Sequence, residues 1–185
     1  MDQERKAKME NAQKCGIWNK NGECLVPVDK LAVLPSYHRE TIPETYLDAM
    51  GHMNVRWYMA LFDTSVWNFF TTHGLDETYY AKKHMGVFAL KHFIQYFAEV
   101  KAGETVALRI RLLGRTEKRF HFMNFMINET TGKLATILEV LGTHADLTLR
   151  KAVAMPDDIS HKFDAQIAAD QLLDWEAPLS GAIKL

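Results

Sequence analysis

Four residues that could act on a reactive carbonyl lie close together ahead of a long apolar segment: Asp48, Gly51, His52 and Asn54. A carboxylate such as Asp48 can attack a carbonyl carbon or activate a water molecule. Gly51 has no side chain and permits close approach of the backbone. Free N–H groups at a helix N-terminus stabilise a developing oxyanion. This stretch therefore combines a candidate carboxylate with candidate donors for an oxyanion.

Each of these residues also has a purely structural interpretation. An Asp in a turn that contains glycine is often a cap or a turn former. Asn54 can be a helix N-cap, a substrate contact or both. His52 can be a packed turn residue or an acid–base group. Tyr58 follows one helical turn later, at a position where core packing competes with substrate contact.

A helix that begins after Asn54 must position these groups. Gly74 is a plausible C-terminal stop. Aromatic and aliphatic side chains such as Trp57, Leu61 and Trp67 occupy further faces, which predicts a helix buried on most sides. The residues at helical spacing are Val55, Tyr58, Met59, Phe62, Val66, Phe69 and Phe70.

Strands surround the predicted helix in the sequence. One strand is predicted from Tyr37 to Tyr46, with Pro43 marking an edge or a bulge, and a short helix from Asp76 to Lys83. After Gly86 the apolar residues alternate with period two, and short turns separate four strands, which favours antiparallel pairing. A helix is predicted over 157–175, after Pro156. The sequence thus predicts an α+β domain whose antiparallel sheet wraps around one long central helix.

Composition narrows the classes of function. The 185 residues are 48% hydrophobic and carry a net charge of −1, which is typical of one globular domain without a broad basic surface for nucleic acid. No apolar run is long enough for a membrane span, and the charged N-terminal segment lacks the apolar core of a signal peptide. A cytoplasmic protein is therefore expected. Neither the two cysteines nor the eight histidines have metal-ligand spacing, so no metal site is predicted.

The motif Asp48-x-x-Gly51-His52-Met53-Asn54-x-x-x-Tyr58 resembles that of the 4-hydroxybenzoyl-CoA thioesterase-like family of hotdog-fold acyl-CoA thioesterases. The family pattern is Asp, two residues, Gly-His-Val/Met-Asn-Asn and an aromatic residue three positions on. Val55 stands where that pattern has its second Asn. The similarity extends over about 37–156, and the first 35 residues have no assigned counterpart.

This resemblance implies hydrolysis of an acyl-CoA thioester to free CoA and a carboxylic acid. It implies that Asp48 is the nucleophile or general base, with Gly51, His52 and Asn54 beside it and the helix N-terminus polarising the thioester carbonyl. Substrate contacts are expected at Val55, Arg56, Trp57 and Tyr58, and contacts with the CoA phosphates at Arg150 and Lys151. The thioester is itself the substrate, so no separate cofactor is expected. A homodimer or homotetramer with active sites between subunits is implied.

Other interpretations remain open at this point. Another branch of the superfamily uses an acidic residue on the central helix, which makes Asp63 the competing carboxylate. A non-catalytic acyl-CoA binding or sensing protein would bind the same ligand without releasing CoA. A hotdog dehydratase or hydratase would need a His and carboxylate pair on the helix or its partner strand, an arrangement that His52 and Asp63 do not resemble.

The chain divides into three predicted parts: an N-terminal extension over 1–35, a hotdog thioesterase domain over 36–156 and a C-terminal helical tail over 157–185. Met1 to Lys14 has the composition of a short polar helix. Two interpretations of the extension are kept, a segment packed on a partner subunit and a loosely ordered arm.

Overall fold

The computed structural model describes residues 15–18 and 24–185. An antiparallel hairpin of β1 (Cys15–Trp18) and β2 (Cys24–Pro27) leads into the short helix α1 (Val28–Ala32). Sequence reasoning assigned no element to this hairpin. The polar helix predicted within Met1–Lys14 lies outside the described residues.

A six-stranded antiparallel sheet forms the body of the domain, in the order β3-β5-β6-β7-β4, with β8 paired to the end of β7. This confirms the predicted sheet, although β8 was not predicted. The strands are β3 (Ser36–Thr41), β4 (Met85–Tyr96), β5 (Thr105–Arg115), β6 (Arg119–Asn128), β7 (Lys133–Asp146) and β8 (Lys151–Ala152).

The strand predicted to reach Tyr46 is shorter in the structure. β3 ends at Thr41, and a 3₁₀ helix over Glu44–Tyr46 follows. Pro43 has no N–H to donate to a ladder and occupies the N-cap of this 3₁₀ helix, which explains the early end of the strand.

Three longer helices complete the fold: α2 (Val55–Thr72), α3 (Glu77–Lys83) and α4 (Asp157–Gln171). The predicted limits of α2 are confirmed. The Asn54 side chain accepts a hydrogen bond from the Arg56 N–H at 3.1 Å, and Gly74 follows the helix end with φ of 92°. Asp76 caps α3 by accepting from the Tyr79 N–H at 2.8 Å.

The central helix α2 is buried on one side only, which corrects the prediction of burial on most sides. Its inner face packs on the concave face of the sheet through residues such as Phe62, Phe69 and Phe70. The opposite face carries Asp63 and Trp67, and Trp67 is 43% exposed. The sheet ends at β4, and no further layer formed by residues 15–18 and 24–185 covers this face.

The outer face of the sheet is covered by both ends of the described chain. Val26, Leu31 and Leu34 form a second apolar cluster there with β6, β7 and Trp175. The strand β3 covers only part of the edge of β5, and the helix α4 covers the remaining part. There the Leu112 N–H donates to the Asp170 carboxylate at 2.7 Å. Among the described residues, no helix is long and apolar enough to cross a membrane.

Candidate active site

The predicted catalytic stretch forms a tight turn between the 3₁₀ helix and α2. The Asp48 N–H donates to the His52 carbonyl, and the Gly51 N–H donates to the Asp48 carbonyl, both at 3.0 Å. Gly51 has φ of 81°, in the left-handed region that glycine adopts at no steric cost. The glycine in the motif is therefore explained by the geometry of this turn.

The Asp48 carboxylate is oriented by the turn but is not fully used by it. Its Oδ1 accepts from the Met50 N–H at 2.8 Å. Its Oδ2 lies 3.6 Å from His52 Nδ1, which is too long for a hydrogen bond. The side chain is 18% exposed. One carboxylate oxygen is therefore held near the surface without a hydrogen-bond donor among the described residues.

The first turn of α2 leaves one backbone donor free. Asn54 donates its N–H to the Tyr46 carbonyl at 2.9 Å, and the Trp57 N–H donates to the Asn54 carbonyl at 2.9 Å. The Asn54 side chain satisfies the Arg56 N–H. In the described part of the chain, this leaves the Val55 N–H without an acceptor. Of the backbone N–H groups predicted over Asn54–Trp57 to polarise the carbonyl, that of Val55 is the one left available.

A network of polar and stacked side chains ties the start of α2 to β3. The rings of Tyr46 and Trp57 are stacked with centroids 3.7 Å apart and planes 9° apart. The Tyr46 hydroxyl donates to Glu40 Oε1 at 2.9 Å, and this hydrogen bond to a carboxylate raises the pKa of Tyr46. Both contacts keep the Asp48 turn and the helix N-terminus in a fixed relation.

The four predicted substrate contacts of α2 have different surroundings. Val55 and Arg56 are exposed, and the Arg56 guanidinium lies 5.1 Å from the centre of the Trp57 ring. Tyr58 is only 4% exposed and packs against Tyr96 at right angles, and burial raises its pKa to about 12. The Tyr58 side chain is therefore not accessible to a substrate in this structure.

A cavity of about 680 Å³ lies between α2 and β4, beginning at Arg56 in the first turn of the helix. Asp63 and His92 also contribute to its wall. Burial lowers the pKa of His92, and the nearby Asp63 carboxylate opposes that shift. The aromatic residues of the wall are Phe62, Trp67, Phe70, Tyr80, Phe88, Phe120 and Phe122.

Sequence reasoning considered Asp63 but did not associate it with His92 or with a cavity. The cavity results from the pairing of β4 with β7, which is distant in sequence, and no local sequence pattern predicts it. Gly142 on β7 contributes because an added Cβ would lie 2.2 Å from the Phe120 ring. That glycine lets Phe120 lie flat across the strand beneath the cavity.

The predicted pair Arg150 and Lys151 lies far from Asp48 within one chain. The Arg150 guanidinium lies 5.1 Å from the centre of the Phe88 ring, near the first residue of β4. The Asp48 turn lies beyond the other end of that strand, where the Met53 N–H donates to the Val100 carbonyl at 2.7 Å. Eight residues of strand from Phe88 to Tyr96 span roughly 26 Å.

Three arginines of β5 have structural partners. Arg111 is buried and donates to the carbonyls of Trp175 and Asp170. Arg115 pairs with Asp164, and Arg109 donates to the Leu34 carbonyl.

Two buried histidines, His121 and His144, are hydrogen-bonded. His121 Nε2 lies 2.8 Å from Glu139 Oε1, and His144 Nε2 lies 2.7 Å from the Tyr79 hydroxyl. Burial lowers the pKa of His144. No group of three or more potential metal ligands occurs among the residues that the structure describes.

A model of the thioesterase-like superfamily matches residues 43–163, which include the Asp48 turn, α2 and the sheet from β4 to β8. The chain belongs to this superfamily. The domain has the hotdog fold, a curled antiparallel sheet packed on a long helix, as the resemblance implied.

Curated relatives of this superfamily member are named as betainyl-CoA thioesterases. The betainyl-CoA thioesterase of Pseudomonas aeruginosa is 24% identical over 141 residues, covering 76% of this chain and 88% of the relative. The L-carnitine dehydrogenase/betainyl-CoA thioesterase of Agrobacterium fabrum is 29% identical over 127 residues, or 69% of this chain. The chain spans only 26% of the length of that two-function relative.

Solved structures share the fold at low sequence identity. A Staphylococcus aureus protein solved in complex with CoA has a TM-score of 0.74 and 21% identity, covering 83% of this chain and 97% of that chain. The 1,4-dihydroxy-2-naphthoyl-CoA thioesterase of Synechocystis has a TM-score of 0.62 and 11% identity, covering 69% and 93%.

Proposed function

We propose that this protein hydrolyses an acyl-CoA thioester to CoA and a carboxylic acid. The observation that carries the proposal is the pairing of two groups at the start of α2. Among the described residues, one oxygen of the half-buried Asp48 carboxylate has no hydrogen-bond donor, and the Val55 N–H at the adjacent helix N-terminus has no acceptor. The names of the relatives support the same class of substrate.

In the proposed reaction, the thioester carbonyl oxygen accepts a hydrogen bond from the Val55 N–H. Asp48 either attacks the carbonyl carbon or removes a proton from an attacking water molecule. Negative charge then develops on the carbonyl oxygen, where the donor and the positive end of the helix dipole stabilise it. The C–S bond breaks, and CoA leaves as a thiolate and takes up a proton. If water attacked, the carboxylic acid is formed in this step; if Asp48 attacked, the product is a mixed anhydride with Asp48, which water then hydrolyses to release the carboxylic acid and restore the Asp48 carboxylate.

The proposed assembly is a homodimer that joins the two β4 edges across a two-fold axis. Phe88, Leu90, Phe93 and Tyr96 of this open edge are all exposed apolar residues. Antiparallel pairing of two β4 strands would bring Arg150 and Lys151 of one chain towards the Asp48 end of the other. The pair would then lie within reach of the CoA phosphates, as expected from its charge.

Release of free thiol from a panel of acyl-CoA substrates tests the proposed reaction. The names of the relatives make a betainyl group the first acyl group to try, beside short, long, branched and aromatic groups. We expect Asp48→Asn and Asp48→Ala to lower kcat by about 10²–10⁴-fold, the range for loss of a general base. The control Asp158→Asn changes an exposed carboxylate of α4 and should retain wild-type turnover.

Two results would contradict the proposal. Undiminished hydrolysis by both Asp48 variants would remove Asp48 from the reaction. Saturable acyl-CoA binding by the wild type without release of thiol from any substrate would instead favour a binding or sensing protein.

A further inference from the structure

We propose that Tyr46 and Glu40 are positioning residues for the hydrolysis, which fix the Asp48 carboxylate relative to the Val55 N–H. This inference rests on the proposed function, because it names the residues that hold the two reacting groups of that function in place. Neither Tyr46 nor Glu40 belongs to the motif that carries the family resemblance. Their proposed role follows from their contacts in the structure.

Asp48 lies on a short loop whose two arms are joined at Tyr46 and Asn54. The Asn54 N–H donates to the Tyr46 carbonyl at 2.9 Å, and Leu47 and Met53 form an antiparallel bridge next to this hydrogen bond. The loop is therefore a small hairpin, which carries Asp48 at the end of its first arm. The helix α2 starts directly after the second arm. The distance between Asp48 and the helix N-terminus thus depends on how the two arms are held together.

The Tyr46 side chain joins the first arm of this hairpin to α2. Its ring is stacked on Trp57, the third residue of the helix, with centroids 3.7 Å apart and planes 9° apart. Stacked rings can slide over one another at little cost, whereas a hydrogen bond has a preferred direction. The Tyr46 hydroxyl donates such a bond to Glu40 Oε1 at 2.9 Å. This bond therefore sets where the Tyr46 ring lies on Trp57.

Glu40 is itself held in a fixed orientation. It lies in β3, where it pairs with Val106 of β5. Its second oxygen, Oε2, lies 2.9 Å from Nε2 of His38, which is two residues away on the same face of the strand. The side chains of His38 and Glu40 are only 20% and 30% exposed. Because both carboxylate oxygens have partners, the strand β3 acts through Glu40 and Tyr46 as a rigid support for the hairpin.

Loss of the Tyr46 hydroxyl should therefore affect the chemical step. A displacement of reacting groups by about 1 Å can cost about 10²-fold in rate. Tyr46→Phe keeps the stacked ring and removes the hydrogen bond to Glu40. We expect it to lower kcat by about 10- to 100-fold and to leave KM unchanged, because the positioning matters most in the transition state.

Variants of Glu40 test the same contact from its other side. Glu40→Leu removes the acceptor and should lower kcat as much as Tyr46→Phe. Glu40→Gln keeps an acceptor oxygen for the Tyr46 hydroxyl and should retain a kcat close to that of the wild type. Each kcat and KM is measured by release of free thiol from the acyl-CoA that the wild type hydrolyses fastest.

Tyr79→Phe is the matched control for a purely structural effect. It removes a tyrosine hydroxyl that lies 2.7 Å from His144 Nε2, near the opposite end of β4 from the Asp48 turn. Thermal unfolding should show a loss of stability in this variant, while its kcat stays at the wild-type value. Hydrogen–deuterium exchange over residues 46–57 should become faster in Tyr46→Phe and stay unchanged in Tyr79→Phe.

A wild-type kcat in Tyr46→Phe and Glu40→Leu would overturn this inference. An equal loss of kcat in Tyr79→Phe, or a loss in Glu40→Gln as large as in Glu40→Leu, would overturn it too. If Asp48→Asn abolishes hydrolysis while these results hold, the proposed reaction stands without the inference. A wild type that releases no thiol from any acyl-CoA would overturn the proposed reaction and the inference together.

Discussion

At the scale of single residues, Val55 allows the role of a backbone N–H to be tested separately from the role of a side chain. Its side chain is exposed, so the proposed contribution to catalysis lies in the main chain. Val55 is the first residue of α2, a position that tolerates proline because its N–H has no partner within the helix. Asn54 has φ of −66° and ψ of 143°, the extended conformation that a following proline requires.

Val55→Pro should therefore remove the proposed carbonyl donor with little effect on the fold. We expect kcat to fall by about 10²–10³-fold, the loss seen when one oxyanion donor is removed. Val55→Ala keeps the N–H and should retain most of the wild-type turnover. Thermal unfolding of both variants checks the fold. Equal turnover of the two variants would show that this N–H does not polarise the carbonyl.

At the scale of elements, α4 and the segment after it stabilise the sheet through a buried charged group. The Asp170 carboxylate accepts from the Leu112 N–H at 2.7 Å and from Gln166 Nε2 at 3.0 Å, and the charge of Arg111 lies near it. Burial raises the pKa of Asp170 and lowers that of Arg111, so both groups incur a cost of desolvation that their contacts must offset.

Removing the Asp170 carboxylate should destabilise the protein strongly. Asp170→Ala leaves the Leu112 N–H unpaired and Arg111 without its counter-charge, so the free energy of unfolding should fall by about 2–4 kcal/mol. Asp174→Ala is the matched control, because the Asp174 carboxylate is 75% exposed and pairs with Lys30 at the surface. That variant should keep a free energy of unfolding close to that of the wild type, because a solvent-exposed ion pair contributes little to stability. Urea unfolding of both variants would measure the difference, and similar losses would contradict this role of Asp170.

The elements that could be predicted are those whose signals are local. Asn54, Gly74 and Asp76 mark helix ends through their own side chains or φ angles, and the structure uses each of them in that way. The paired strands β1 and β2 and the strand β8 have short pairings and weak patterns, and sequence reasoning did not find them.

In the candidate site too, the parts formed by contiguous residues were predicted and the parts formed by distant residues were not. The Asp48 turn and the helix N-terminus are contiguous in sequence, so their composition and spacing predicted them. The cavity joins α2 to β4 across a sheet order that no local pattern specifies, and His92 and Tyr80 were therefore missed as its wall. The exposed face of α2 was missed for a similar reason, because the apolar composition of the helix predicts burial but does not specify which of its faces the sheet covers.

At the scale of the whole molecule, the two edges of the sheet differ in character. The β3 edge carries polar residues such as Arg39 and Thr41. The helix α4 lies beside the part of β5 that β3 does not cover. The β4 edge is apolar and open, with Leu90 47% exposed at a bulge in its pairing with β7. An apolar, unprotected edge strand is unfavourable in water unless another chain covers it.

Leu90→Lys should therefore disrupt the proposed dimer, because it places a charge on the surface that would be buried. Sedimentation equilibrium should change from twice the chain mass of 21.2 kDa to the single-chain mass. Val33→Lys is the control, since it exchanges a similarly exposed apolar residue away from this edge and should keep the assembly intact. If Arg150 and Lys151 reach the CoA phosphates across the two-fold axis, Leu90→Lys should also weaken binding of CoA. A wild type that sediments as a single chain, or a Leu90→Lys variant that remains dimeric, would contradict assembly through β4.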